Sequence, residues 1–478
     1  MNVMKITSNY SEEIMNKLLD DQAYLIAKYI NNGELSLFCG AGITSVTWNN
    51  LYADKEFRKK NLSNYVKLQL IANKQTDFTD FIRLMKESLD TSKLNGDYLN
   101  ILLNLNIKHI WTTNFDKNIE NVLVHNNINY DSISKESKLK NIESSNKKVV
   151  YKINGDIDDL ENAVLTQEQY EKHQERMNLF SSFLEKELLI KKFLIIGYSF
   201  TDNIVLKSIA KLNNYFPNAT NECFNIIDKK TWKEKRLFFE DLKKRYNITP
   251  VIINSYSNAD INSFIEKIKY YCFINNIYVS GTLNLEKNRN DLQLIKNINT
   301  FFDGLFSKKF KIYSNHGEFL GYHLGASATR YAYKNNININ EITNIIPIYV
   351  DEHSERYRKS SISNTSYTII MFSNDDIAHG MIEEFIISYD NNNLIIPLFF
   401  TGKTPNIIYQ FMKENKILFP ELDPYWNDLE KMTTLENSLP IITNIIKHKQ
   451  SEHLKFNRNQ SIKESIYEFL KKWHNNKL

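Results

Sequence analysis

Residues 35–45 read LSLFCGAGITS, an apolar stretch that runs directly into two glycines separated by one alanine. The chain has only 13 glycines among 478 residues, so this pair marks a place where side chains would obstruct the backbone. The apolar run predicts a buried β-strand that ends at Gly40. Glycines after such a strand allow a phosphate group to approach the backbone, and a tight turn without a ligand is the alternative explanation.

Strand-like and helical segments alternate on both sides of this stretch. A helical pattern covers residues 12–30, and helical patterns also separate several of the later strands. The strand patterns that follow lie at residues 109–113, 149–153, 193–199, 223–228 and 251–254. This alternation predicts an α/β fold with a doubly wound, mainly parallel sheet that helices cover on both faces. Residues 50–104 show helical periodicity and predict a small helical insert.

The same alternation begins again after about residue 275. Strand patterns lie at residues 277–281, 310–315, 345–350, 367–373 and 394–400. They predict a second doubly wound α/β domain, which fits a chain too long for one ordinary core. We therefore expect one domain over residues 1–275 and another over residues 276–478.

Composition excludes several classes of function. The formal net charge is +4, and no block of basic residues with interleaved aromatics predicts a nucleic-acid groove. Cys39, Cys223 and Cys272 are isolated, which argues against a disulfide framework or a structural metal site. No apolar run is long enough to predict a membrane span. We expect a cytoplasmic protein without a metal.

Glycine and polar residues follow four strands of the first domain. Besides the GAG turn, they lie in WTTNFD (111–116), YKINGDID (151–158) and IIGYSFTD (195–202). Because the carboxyl ends of parallel strands meet at one edge of a sheet, these stretches predict a pocket for a dinucleotide. Capped helix starts would explain each stretch taken singly. The candidate residues are Gly40, Ala41, Gly42, Thr44, Thr113, Asn114, Asp116, Asn154, Gly155, Gly197, Ser199 and Asp202.

The motifs GAGITS, TTNFD, KINGD and GYSFTD, in this order and at these separations, resemble the sirtuin fold, which binds NAD. With a second nucleotide-binding α/β domain, the chain more narrowly resembles the NAD-consuming effector subunits of Thoeris antiphage systems. The resemblance implies an NAD+ glycohydrolase that depletes NAD+ on infection. It further implies that the GAG turn cradles the phosphates of NAD+, with Thr44 where the family often has serine. Asn114 and Asp116 would line the nicotinamide-ribose side.

The sequence departs from the family at Asn154, where the catalytic histidine would precede the GD dipeptide. An amide cannot accept a proton near pH 7 as an imidazole can. We therefore expect this chain to bind NAD+ and to hydrolyse it poorly. An engineered replacement and a natural departure both remain open as the origin of Asn154. His109 is another histidine near these motifs, and we interpret it as structural.

The resemblance implies that the second domain binds a cyclic ADP-ribose isomer, which a TIR-domain partner makes, and thereby activates hydrolysis within a homotetramer. Arg358, in the predicted polar loop SERYRKSS (354–361), is suited to bind a phosphate. Glu384 is placed to bind ribose hydroxyls. A solvated loop and helix-start acids are the alternative explanations. The candidate residues for this ligand are Ser280, Gly281, Gly317, Arg358 and Glu384.

Two other functions are compatible with the sirtuin-like motifs. A protein deacylase shares the pocket, but such enzymes usually carry a four-cysteine zinc module that this sequence lacks. A catalytically inactive sensor of NAD or another nucleotide is the non-enzymatic alternative. Asn154 is the residue that favours it.

Overall fold

The computed structural model describes residues 12–45, 62–90, 93–94, 96–141, 147–176, 178–200, 204–216, 221–288, 290–315, 318–346, 354–374, 376–452 and 462–475. The chain divides into two compact units between Cys272 and Phe273. The boundary predicted at residue 275 lies in the same short connection, between a helix that ends at Cys272 and a strand that begins at Asn276.

The first unit is built on a seven-stranded parallel sheet in the part of the chain that the structure describes. The strands of this unit, including two outside the main sheet, are β1 (Leu35–Cys39), β2 (Thr44–Ser45), β3 (Lys93–Leu94), β4 (His109–Thr112), β5 (Tyr130–Ile133), β6 (Lys148–Lys152), β7 (Lys192–Ile196), β8 (Cys223–Asp228) and β9 (Ile248–Ile253). The main sheet has the order β5-β6-β4-β1-β7-β8-β9, and β2 pairs with β3 in a separate antiparallel ribbon. The strand order reverses at β1, which is where α/β sheets bind ligands.

Helices cover the sheet of the first unit. They are α1 (Glu12–Asn31), α2 (Asn64–Ala72), α3 (Phe78–Asp90), α4 (Tyr98–Asn104), α5 (Asn118–His125), α6 (Gln167–Arg176), α7 (Asn178–Ile190), α8 (Ile204–Tyr215), α9 (Lys229–Glu234), α10 (Arg236–Tyr246) and α11 (Asn258–Cys272). All five residues of β1 are buried, as expected for a central strand between two layers of helices. The predicted fold class is confirmed.

Two details of the first unit differ from the sequence-based prediction. The edge strand β5 was missed because its sequence, YDSI, is mostly polar and only half-buried. The predicted helical insert contains α2, α3 and α4, and it also supplies β3, which is too short to leave a pattern in the sequence.

The second unit contains a five-stranded parallel sheet with the order β12-β11-β10-β13-β14 over the described ranges. Its strands are β10 (Asn276–Ser280), β11 (Lys311–Ser314), β12 (Thr343–Ile345), β13 (Tyr367–Ile370) and β14 (Leu394–Pro397). Its helices are α12 (Leu285–Asn288), α13 (Leu292–Ser307), α14 (Glu318–Asn335), α15 (Ile339–Ile342), α16 (Ser354–Ile362), α17 (His379–Asp390), α18 (Lys403–Glu414), α19 (Trp426–Glu430), α20 (Leu435–Glu452) and α21 (Lys463–Asn475). The strand order again reverses at the first strand, β10.

Two predictions for the second unit need correction or restriction. The polar loop predicted over 354–361 is wrong, because these residues form α16. Of the strand predicted over 345–350, only Ile345 lies in β12, and residues 347–350 lie outside the described residues. No helix within the described ranges is both long and apolar enough to cross a membrane.

The two glycines after β1 are required by the approach of another backbone turn. A Cβ atom on Gly40 would lie 2.4 Å from the carbonyl oxygen of Gly197, and one on Gly42 would lie 2.9 Å from Gly197 Cα. Gly197 itself has a φ of +70°, which L side chains rarely adopt. Packing between the turns after β1 and β7 therefore accounts for the GAG sequence, as in the ligand-free explanation.

We expect Gly40→Ala to lower the free energy of unfolding by about 3 kcal/mol, because the added methyl group would collide with backbone atoms that cannot rotate away. Urea unfolding of the full chain measures the loss. Ala41→Ser adds one heavy atom at the neighbouring exposed position and should change stability little. Equal effects of the two substitutions would contradict this explanation of the turn.

Candidate functional site

The four predicted stretches of the first unit meet at one edge of its sheet. Their strands are neighbours in the order β6-β4-β1-β7. Backbone hydrogen bonds join the turns: Gly42 donates to Gly197 O at 2.8 Å, and Ile153 donates to Thr112 O at 3.0 Å. Thr113 donates to Cys39 O at 3.4 Å. The edge lies beside β1, at the reversal of strand order.

The predicted residues of this edge differ in how far they face solvent. Ala41, Gly42 and Ser199 are exposed, whereas Gly40 and Thr44 are buried. The Thr44 hydroxyl donates to Ala41 O at 3.4 Å and so lies within its own turn. Thr113, Gly155 and Gly197 are half-buried, and Asp202 lies outside the described residues.

Asn114 is a buried amide with an unused donor. Its backbone N–H donates a hydrogen bond to Thr112 Oγ1 at 3.0 Å. Its side chain is enclosed, and Nδ2 has no hydrogen-bond partner among the described residues. An unsatisfied buried polar group costs about 1–3 kcal/mol, so this amide is suited to a polar ligand.

Asn154, on the neighbouring turn, has a buried amide oxygen that accepts no hydrogen bond within the described residues. Its Nδ2 donates to Tyr65 Oη at 2.8 Å and to Thr113 O at 3.3 Å. Adjacent turns thus present one unused donor, on Asn114, and one unused acceptor, on Asn154.

Tyr65 was missed by the sequence analysis. It lies on α2 of the helical insert and stacks on Tyr170 with ring centroids 4.5 Å apart. The sequence carries no signal for this contact, because residues 65 and 154 meet only in the folded chain. The insert therefore supplies part of the site.

Lys152 was also missed by the sequence analysis, and its side chain joins two of the turns. Its side chain is fully buried, and Nζ donates to Phe115 O at 3.0 Å and Asp116 O at 2.6 Å. The same Nζ lies 2.8 Å from Asp156 Oδ2 and 3.2 Å from Glu120 Oε1. One ammonium group therefore ties the WTTNFD turn to the YKINGDID turn.

The two aspartates of these turns have structural contacts. Asp116 Oδ1 accepts a hydrogen bond from the backbone of Asn118 at 3.0 Å, at the start of α5. Asp156 accepts one from Asp158 N at 3.0 Å and pairs with Lys117 at 2.8 Å. The Asp156 contact caps the 3₁₀ helix Ile157–Asn162, as the capping explanation expects, whereas Asp116 precedes the N-cap residue of α5. Burial would raise the pKa of Asp156, but the charges of Lys152 and Lys117 lower it below its ordinary value.

His109 lies at the other end of the sheet. It is the first residue of β4, and its Nδ1 lies 2.6 Å from Glu187 Oε1. The hydroxyl of Ser36 donates to the same oxygen at 2.5 Å. Since the candidate site is at the carboxyl ends of the strands, this placement agrees with a structural histidine.

Three of the five candidate residues of the second unit come together beside the ends of β10 and β11. The Ser280 hydroxyl donates to Glu384 Oε2 at 2.5 Å, and Arg358 Nε lies 3.6 Å from Glu384 Oε1. Asn315 Nδ2 donates to Tyr278 Oη at 2.6 Å and lies 3.4 Å from Glu384 Oε1. Burial raises the pKa of Glu384 above its ordinary value, although the hydrogen bond from Ser280 acts in the opposite direction.

Gly281, one of the two glycine candidates of the second unit, packs closely against a neighbouring backbone segment. A Cβ on Gly281 would lie 2.2 Å from Met371 O, so glycine is needed there for packing against the segment after β13. Gly317 lies outside the described residues. Among the described side chains, no group of three or more His, Cys, Asp or Glu residues is arranged to bind a metal ion.

Two known domain families match this chain. The SIR2-like domain profile matches residues 108–251, and the profile of the Sir2- and TIR-associating SLOG family matches residues 260–449. A protein named NAD(+) hydrolase ThsA from Enterococcus faecium is 26% identical over 83% of this chain and 91% of its own length. One of the same name from Cytobacillus dafuensis is 27% identical over 88% of this chain and 94% of its own length.

The fold and the site thus define a two-domain protein in which a SIR2-like domain precedes a SLOG domain. These two domain matches and the relatives of that name confirm the resemblance to Thoeris effectors that the motifs indicate.

We expect Asp156→Asn to lower the free energy of unfolding by about 3 kcal/mol at pH 7, because Lys152 and Lys117 lose a shared carboxylate. The pKa of Asp156 is lowered by folding, so its contribution is complete above the ordinary aspartate pKa of about 3.9 and disappears as pH falls through the lower folded-state value. The difference between the variant and the parent chain should therefore shrink below about pH 4.

Asp158→Asn is the matched control for this prediction. Asp158 also pairs with Lys117, at 2.9 Å, but its side chain is 75% exposed. Its loss should cost less than about 1 kcal/mol. Urea unfolding between about pH 3 and 7 compares the two variants. Equal losses, or a difference independent of pH, would contradict the role given to Asp156.

Proposed function

We propose that the chain is an NAD+ hydrolase effector of antiphage defence, with NAD+ bound at the first unit and a regulatory nucleotide bound at the second. The observation that carries the proposal is the pair of unused amide atoms on Asn114 and Asn154, at the strand-order reversal of a SIR2-like sheet. Relatives named NAD(+) hydrolase, aligned over most of the chain, support the choice of substrate.

The proposed substrate contacts follow from the exposure of the turns. The exposed Ala41 and Gly42 and the half-buried Gly197 face the phosphates, with Ser199 beside them. On the nicotinamide-ribose side lie Asn114 and Asp116, and the remaining contacts of the site come from Thr44, Thr113, Gly155 and Asp202. A Cβ atom on Gly40 or Gly42 would point at Gly197 and not at the ligand. The GAG turn therefore faces the phosphates with its backbone.

Hydrolysis of NAD+ breaks the bond between the ribose and nicotinamide and adds water to the ribose carbon. Nicotinamide leaves as a neutral molecule, and the attacking water loses a proton. Asn154 Oδ1 can accept a hydrogen bond from a hydroxyl group but cannot take its proton, so it orients without acting as a base. We therefore propose that the chain binds NAD+ and hydrolyses it slowly.

The second unit is the proposed sensor of a cyclic ADP-ribose isomer made by a TIR-domain partner. The name of its matching family, Sir2- and TIR-associating SLOG, supports this partner class. Arg358 is the proposed phosphate contact, and Ser280 and Glu384 are the polar partners beside it. Activation in a cytoplasmic homotetramer requires that the ligand bind active and inactive arrangements with different affinity.

An inactive nucleotide sensor is the second candidate function. Asn154 favours it, because the proposed NAD+ site has an amide where the family has a histidine. A protein deacylase is less favoured, because Cys39, Cys223 and Cys272 are each buried and unpaired rather than gathered into a zinc module.

We expect Asn154→His to increase the rate of nicotinamide release from NAD+ by about 10²-fold or more, because imidazole supplies the missing base. The assay is run with and without cyclic ADP-ribose isomers, and with an acylated peptide to detect deacylation. Calorimetric titration of the parent chain with NAD+ tests binding separately.

Asn154→Ala is the control, since it removes the amide without supplying a base and should leave the rate low. Hydrolysis that appears only with histidine supports the effector. NAD+ binding without turnover in any variant would favour the sensor. Release of the acyl group from the peptide would favour the deacylase.

A further inference from the structure

The guanidinium of Arg358 already holds an anion in this structure. Arg358 Nη1 donates to Glu383 Oε2 at 2.5 Å. Its Nη2 lies against the first turn of α17, where a Cβ on Gly380 would be 3.0 Å away. Its Nε has no hydrogen-bond partner among the described residues, although Glu384 Oε1 lies 3.6 Å away. The group is therefore enclosed, charged and only partly satisfied.

Two adjacent glutamates face this arginine in different ways. The Glu384 side chain is 11% exposed and is held by Ser280 and Asn315, so it is a fixed part of the cluster. The Glu383 side chain is 42% exposed, and Arg358 is its one polar partner among the described residues. Separating Glu383 from Arg358 returns to water a carboxylate that is already 42% exposed, and an incoming anion replaces it as the partner of the enclosed guanidinium. Glu383 is thus the replaceable partner.

We propose that Glu383 is an internal competitor for the anionic ligand of the second unit, and that a phosphate group binds Arg358 only after displacing the Glu383 carboxylate. The inference rests on the nucleotide binding proposed above. Carboxylate and phosphate oxygens use the same planar donors of a guanidinium, so the two cannot occupy the Nη1 edge together.

The competitor gives the sensor a threshold. With Glu383 in place, ligand affinity is reduced by the fraction of molecules in which the Arg358–Glu383 pair is closed. The Glu383 carboxylate also repels a phosphate group that approaches the guanidinium, until the carboxylate moves away. A weakly binding or singly charged anion does not displace Glu383. A ligand that also contacts Ser280 or Glu384 displaces Glu383 and binds Arg358. Glu383 therefore sets both the affinity and the selectivity of the site.

The test is Glu383→Gln in the full chain, with cyclic ADP-ribose, ADP-ribose and inorganic phosphate as separate probes in calorimetric titrations. We expect the dissociation constant for the nucleotide probes to fall about tenfold, because the amide is neutral and competes poorly for the guanidinium. The same substitution in an Arg358→Ala background should produce no gain, because the contact that the competitor blocks is absent. A thermal melt of each variant checks folding.

Glu355→Gln is the matched control. Glu355 lies on the same helix as Arg358 and pairs with Lys359 at 2.7 Å, so its loss changes the charge of the unit equally without freeing Arg358. It should leave the dissociation constants unchanged. Nucleotide binding that Glu383→Gln leaves equal or weakens would overturn the competitor, as would an equal gain with Glu355→Gln. Absence of nucleotide binding in every variant would instead overturn the sensing function on which the inference rests.

Discussion

The buried ammonium group of Lys152 joins the parts of the first unit that carry its proposed chemistry. It contacts the carbonyl oxygens of Phe115 and Asp116 on one turn and the carboxylate of Asp156 on the next. A lysine in a buried strand is costly unless oxygen atoms surround its charge, so these contacts constrain both turns at once. Asn114 and Asn154 lie on the turns that this lysine holds together, and each carries a buried amide atom without a partner among the described residues.

The two units share a sheet topology but place different side chains at the reversal of strand order. Each sheet is parallel and reverses its strand order at its first strand, β1 or β10, and each cluster of interest lies beyond the carboxyl end of that strand. In the first unit the cluster is built on amides and exposed backbone, which suits a substrate that must be held and oriented. In the second unit it is built on Arg358 and two glutamates, which suits recognition of a charged ligand.

The strand ends were predictable because period and composition are local properties of the chain. LSLFCG, HIWTT and CFNIID coincide closely with β1, β4 and β8. The polar edge strand β5 was missed, and α16 was mistaken for a loop because charged residues dominate a helix whose buried face is short. The packing partner of the GAG glycines could not be predicted from the sequence. Their missing side chains make room for the turn at Gly197, a contact between segments more than 150 residues apart.

The sequence by itself determined that two parallel α/β sheets form and that glycines, amides and acids follow their strands, because alternation and turn chemistry act over a few neighbouring residues. Tertiary structure alone decided the partners of those residues. Tyr65 reaches Asn154 from the helical insert, Lys152 is enclosed by four oxygens, and Arg358 is shared between two adjacent glutamates. These contacts depend on how helices pack over the sheet, and the energy of a buried charge depends on every element around it.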